Sequence, residues 1–213
     1  MGRTGVLTTG LVALAFVFPW AGAAQVVWDG PMMVSPGAPA GWGLHLVDPH
    51  PGDGVGGVFT WRANPAPVGM GFRVGVVEGD LNDAALIGGL DVAGTVYSVD
   101  EVDFELDVIW FAGAGMGLDD VVSLSFPLGM AVGWSFEEEN LAFRPYLAPR
   151  MVLDAILGDL PPGAAPRDDF DLGFAAEVGL DLAFDPRFGI RAAGSFGDRE
   201  AISVGVTFPG FVR

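Results

Sequence analysis

The 213 residues carry a formal net charge of −17, and 51% of them are hydrophobic, with 33 glycines, no lysine and no cysteine. An acidic chain of this kind is excluded as a nucleic-acid binder, because phosphate recognition needs clustered basic charge. Without cysteine it has neither a disulfide nor a thiolate metal site, and it lacks the residue on which bacterial lipoproteins are anchored.

The chain begins with a short basic start, Met1-Gly2-Arg3, followed by a mostly apolar run from Val6 to Trp20 and the small residues Ala21-Gly22-Ala23-Ala24. That order predicts a secretory signal peptide over residues 1–24, too short in its apolar part to span a bilayer as a helix. Residues 25–40, rich in proline and glycine, read as a leader segment, and residues 41–213 as a single domain. No apolar run of spanning length follows Gln25.

From there the pattern has a period of two. Strands are expected at about 41 to 47, 55 to 63, 69 to 78 and 85 to 98, separated by turn chemistry such as Asp48-Pro49-His50-Pro51-Gly52-Asp53-Gly54 and Asn64-Pro65-Ala66-Pro67. Phe104, Leu106, Val108 and Trp110 then alternate with Asp103, Glu105 and Asp107 until Ile109 and Phe111 blur the pattern. Val122 to Phe136 keeps apolar residues at every even position, with serine, glycine, alanine and Pro127 between them. Around Tyr146, the residues Phe143, Leu147, Met151 and Leu153 share one face, and Arg144, Tyr146, Arg150 and Asp154 share the other.

After a long connection through Pro161, Pro162 and Pro166, residues 169 to 184 alternate without a break: Phe170, Leu172, Phe174, Ala176, Val178, Leu180, Leu182 and Phe184 against a face that includes Asp171, Glu177 and Asp181. No helix sorts charge this way. Strands at about 187 to 197 and 200 to 208 complete a set of ten, with eight as the smaller alternative. The expected fold is an all-β, closed, antiparallel up-and-down barrel that crosses a membrane.

Alternation alone also fits an exported barrel of the lipocalin type, with apolar side chains inward around a ligand. The membrane reading rests on large apolar residues along strands longer than the ~9–11 residues that a tilted span requires. It rests equally on an opposite face that mixes both charge signs. The last strand, AISVGVTF, places Ile202, Val204, Val206 and the aromatic Phe208 on one face. With this strand and pattern, residues 41 to 208 resemble the small bacterial outer-membrane β-barrel proteins of eight to ten strands. The resemblance implies outer-membrane lipid and the barrel-assembly machinery as partners, with Ile202, Val204, Val206 and Phe208 as the assembly signal. The chain departs from that pattern by continuing through Pro209 to Arg213.

Within the barrel, Arg62, Arg73, Arg144, Arg150 and Arg191 are expected to face Asp91, Asp103, Asp107, Glu177 and Asp181 as a paired interior network, because unpaired charge in a dry lumen is costly. Arg144 and Arg150 are expected to pair with Asp103, Asp107 and Asp181. His45 is expected to point inward and His50 to sit in a turn, neither with a catalytic role. Asp119-Asp120, Asp168-Asp169 and the acidic run at 137 to 139 lack the spacing of a calcium loop and read as solvated loop charge. No catalytic, cofactor or metal site is expected. The expected protein is a monomeric structural barrel of the outer membrane, acting in envelope integrity or surface contact; a small-solute or cation pore and a periplasmic carrier of an apolar ligand are the alternatives.

Overall fold

The computed structural model describes residues 27–37, 40–49, 54–78, 84–101, 104–119, 121–138, 141–158, 170–185 and 187–210. Residues 1–24, expected as a signal peptide, His50, Asp103, Asp120, Asp168, Asp169 and the segment around Pro162 lie outside them. Ten strands follow one another: β1 (Gly41–Asp48), β2 (Gly56–Arg62), β3 (Val68–Glu78), β4 (Ala84–Glu101), β5 (Phe104–Leu118), β6 (Val122–Glu138), β7 (Leu141–Leu157), β8 (Phe170–Asp185), β9 (Phe188–Gly197) and β10 (Ala201–Pro209). Each pairs antiparallel with its sequence neighbour, and β1 pairs with β10 from Gly41↔Pro209 to Asp48↔Ile202. The chain is a closed up-and-down β-barrel, and closure leaves no sheet edge unpaired.

Two ends follow from this order. At the proximal mouth lie the start of β1, the end of β10 and the turns after β2, β4, β6 and β8; at the distal mouth lie the connections after β1, β3, β5, β7 and β9. The wall is of unequal height. β4 to β8 run for 15 to 18 residues, whereas β1, β2 and β10 have 8, 7 and 9.

The pleat sorts the side chains as the period of two requires. β3 alternates strictly, with Val68, Met70, Phe72, Val74 and Val76 exposed and Gly69, Gly71, Arg73, Gly75 and Val77 buried. Outward positions are apolar and bare: Leu46 is 60% exposed, Leu90 58%, Phe174 59%. Inward positions carry the charge. Arg73, Asp91, Arg150, Asp154, Glu177, Asp181 and Arg191 are all buried. The blurred pattern at Ile109 and Phe111 has a simple cause: both face inward and are buried, so β5 is apolar on both faces there.

Outward aromatic residues form a belt at the proximal mouth. Trp42 stacks on Phe208 with centroids 4.2 Å apart, Phe208 meets Phe188 at 5.9 Å, and Phe188 meets Phe184 at 6.4 Å. The belt continues the other way through Trp61 and Phe72 at 5.7 Å, and Phe136 meets Phe143 at 6.3 Å farther round the wall. Pro209 stands at the last position of β10, and the chain is held just beyond it by the hydrogen bond from Gly210 N to the Ala40 carbonyl, 2.6 Å. A proline is tolerated there because the ladder is ending.

Candidate functional site in the lumen

The described part of the leader runs through the barrel. Residues Val27 to Ser35 are buried inside it, running from the distal toward the proximal mouth. Trp28 enters near the distal mouth, where Gly89, Gly113 and Gly115 form a floor; a Cβ on any of the three would come within 3 Å of its indole ring. Its Nε1 donates to the Ser125 carbonyl at 3.1 Å. Met32, Met33 and Val34 pack with Trp28 among the inward apolar residues Val47, Val58, Ile87, Ile109, Phe111 and Ala193. At the other end Gly133 supports Pro36, and Gly37 lies against Arg144.

A stretch with so much proline and glycine, outside the ladder, leaves its backbone groups to be satisfied by side chains. The wall supplies them. Arg73 donates to the carbonyls of Trp28 (3.1 Å), Pro31 (2.6 Å) and Met32, with its guanidinium 5.7 Å from the Trp28 ring centre. Arg191 donates to the Met33 carbonyl at 2.9 Å and Arg150 to the Asp29 carbonyl at 3.0 Å. Glu177 accepts from Met32 N at 2.6 Å and Met33 N at 2.8 Å.

The expected interior residues gather round this segment, but with different pairings. Arg62 holds Asp91 through both carboxylate oxygens. Arg191 holds Asp181 in the same way. Arg150 pairs with Glu177 at 3.0 Å and stands 3.4 Å from Asp29, so it does not reach Asp181. Arg144 lies toward the proximal mouth, where it bonds Glu137 at 2.8 Å and Ser135 at 3.0 Å. These differences have one cause: the antiparallel register sets Asp181 opposite Arg191 and also opposite Arg144, and the segment running down the lumen draws Arg150 toward its own Asp29. Asp107 sits opposite Ser98 and Gly133 in the ladder and enters none of these pairs, and Asp103 lies outside the described residues. His45 does face inward, with its Nε2 3.3 Å from Thr60 Oγ1 and its ring against Gly205 and Gly43.

Several members of the cluster were not expected. Arg199, in the connection after β9, pairs with Asp154 and stands 3.5 Å from Asp29. Burial opposes its charge, but Asp29 and Asp154 outweigh that and hold its pKa above the ordinary arginine value. Tyr146 donates to Glu177 at 2.8 Å, Ser125 to Asp154 at 2.7 Å and Arg150 to Ser195 at 3.2 Å. Tyr146 and Asp154 were legible as inward residues of β7; Arg199 and the Trp28-Asp29 pair had no periodic signal to betray them.

A cavity of about 40 Å³ at the proximal mouth, lined by Met33, Arg62, Arg73, Arg144 and Arg191 among others, has space for a few water molecules. Among the described residues no group of three or more His, Asp and Glu is arranged to hold a metal ion. No protein-family model matches the chain, and neither does any curated protein.

Proposed function

We propose that the protein is a structural β-barrel of the bacterial outer membrane, exported by its N-terminal signal peptide, with a sealed charged lumen, and acting in envelope integrity or surface contact. The observation that carries this reading is the inversion of polarity across the wall. Leucine, valine and phenylalanine are bare on the outside, while six arginines and their carboxylates are gathered within. Exposed apolar surface of that extent is not what water tolerates on a free-standing protein, whereas lipid requires it and also requires the closed ladder.

The proximal belt of Trp42, Trp61, Phe72, Phe188 and Phe208 supports the same reading, since aromatic girdles mark the boundary between hydrocarbon and headgroup. Absence of conduction at rest is supported by the way segment 27–37 and the wall side chains fill the middle of the lumen. A carrier of an apolar ligand would need free apolar volume where this barrel holds paired ions. The deciding experiment is envelope fractionation combined with heat-modifiable mobility on a detergent gel. Recovery with the outer membrane and a mobility shift on boiling are expected. Detergent-free recovery in the periplasmic fraction would instead favour the carrier, and large steady channels from the unmodified protein in planar bilayers would favour the pore.

A further inference from the structure

We propose that residues 27–37 are a tethered gate, and that the conduit they close takes small inorganic anions. This rests on the membrane reading above and goes beyond it: the sealed state becomes one of two. The first support is how the segment is held. Among the described residues no backbone-to-backbone hydrogen bond ties residues 27–37 to the wall, so the segment can leave without breaking the ladder.

The second support is the pairing of the wall with itself. Arg62 with Asp91, Arg144 with Glu137, Arg150 with Glu177 and Arg191 with Asp181 are contacts between wall residues, and Arg199 of the β9–β10 connection pairs with Asp154 of the wall. They persist when the segment withdraws, so opening strands no buried carboxylate. A wall that needed its plug for neutrality would collapse or aggregate without it.

The fit around Asp29 favours withdrawal further. Both Asp29 carboxylate oxygens and the Nε atoms of Arg150 and Arg199 are buried without a hydrogen bond, at separations of 3.4 and 3.5 Å. The charges there offset one another, but these atoms lack hydrogen bonds that water would give them, and water entering an open lumen completes their shells.

Arg73 sets the selectivity. Its hydrogen bonds go to carbonyls of the segment, while Asp91, on the neighbouring strand, is already held at both oxygens by Arg62. Withdrawal therefore leaves the Arg73 guanidinium without its hydrogen-bond partners, in a stretch of the lumen whose neighbouring charges, Arg62 with Asp91 and Arg150 with Glu177, are paired. A cation so placed attracts chloride or phosphate and repels sodium and potassium.

The test uses the full chain, whose lack of cysteine gives a clean background. A Cβ on Gly30 would lie 3.3 Å from that of Ala201, close to the ~3.5–4.5 Å that a disulfide spans. The Gly30→Cys/Ala201→Cys variant is reconstituted in planar bilayers under a KCl gradient. Oxidised, it should be silent; reduced, it should open briefly with a reversal potential toward that of chloride. Trp28→Ala, which empties the glycine floor, should raise the open fraction roughly tenfold or more without any crosslink, and adding Arg73→Gln should abolish the anion preference. A folded barrel that co-floats with liposomes yet stays silent in both the reduced variant and Trp28→Ala, or one whose openings prefer potassium, overturns the gate.

Failure to co-float sinks the membrane reading instead. In that case the gate is still read in detergent, by labelling Met32→Cys with a water-soluble maleimide. Labelling much faster than unfolding supports withdrawal, and labelling no faster than unfolding rejects it.

Discussion

Glu177 is the point at which the wall and the segment meet: its carboxylate lies 3.0 Å from the Arg150 guanidinium with neither side chain exposed, and it also accepts the Tyr146 hydroxyl and the N–H groups of Met32 and Met33. Removing it leaves buried Arg150 with Asp29, at 3.4 Å, as its remaining counter-charge and leaves two backbone donors bare. Glu177→Ala should therefore destabilise the folded barrel by about 3–5 kcal/mol, read by urea unfolding of the lipid-reconstituted protein. Adding Arg150→Met to that variant should restore a large part of the loss. A double variant no better than the single one would show that the arginine is not the group left in difficulty.

Gly179 faces the ring of Tyr146 so closely that an added Cβ would lie 2.1 Å from it. Gly179→Ala must push the ring off Glu177 and should cost about 1–3 kcal/mol by overpacking. The measurement is the temperature at which the heat-modifiable form is lost, and Tyr146→Leu in the same chain should recover part of the shift. Unchanged melting in Gly179→Ala would place the ring elsewhere.

Val178 is 52% exposed on the outward face of β8, in the middle of the strand. If lipid covers that face, Val178→Arg should lower folding stability by roughly 2–4 kcal/mol near the midplane. Asp171→Asn, on the other face near the distal mouth, should change little. Refolding from urea into lipid vesicles compares the two, and equal tolerance would mean that water covers both faces.

The strand order sets the turns near Asn64, Asp100, Glu138 and Asp185 at one end and the connections near Pro51, Gly79, Asp119, Pro162 and Asp198 at the other. With the proximal mouth periplasmic, an epitope inserted at Gly163 should be accessible to antibody on intact cells and one at Glu138 only after permeabilisation. The reverse pattern would turn the barrel over.

The ladder was legible because alternation is a property of the chain alone. Nine of the ten strands fall within a few residues of where the period of two sets them, while β5 runs on to Leu118, well past the point at which its pattern blurs; the even positions of β6 and β8 face outward as the pattern requires. Ion-pair partners were not legible, because they depend on register and on what occupies the middle. Arg144 and Arg191 both stand opposite Asp181, and nothing in the one-dimensional pattern says that Arg191 takes it. The segment 27–37 was the larger omission. Proline and glycine there announce only the absence of a strand, and its role follows from side chains on β3, β7, β8 and β9 that lie 41 to 158 residues away. Arg199 escaped for a related reason, being a connection residue that turns back over the lumen to reach Asp154.

If the barrel sits in a bilayer, as proposed above, its unequal wall has a consequence for the lipid around it. At ~3.3 Å per residue and a tilt near 40°, the seven residues of β2 raise the wall by only about 18 Å, and the seventeen of β6 by about 43 Å. A hydrocarbon layer cannot match both sides at once. Acyl chains beside β1, β2 and β10 must shorten or splay, and the barrel must lean toward its low flank to share the mismatch. Two such barrels that turn their low flanks to each other pool one thinned patch instead of making two, an attraction carried by lipid alone. The β1–β10 seam lies in that flank, so in a bilayer the place where the chain closes on itself would also be where the membrane is thinnest.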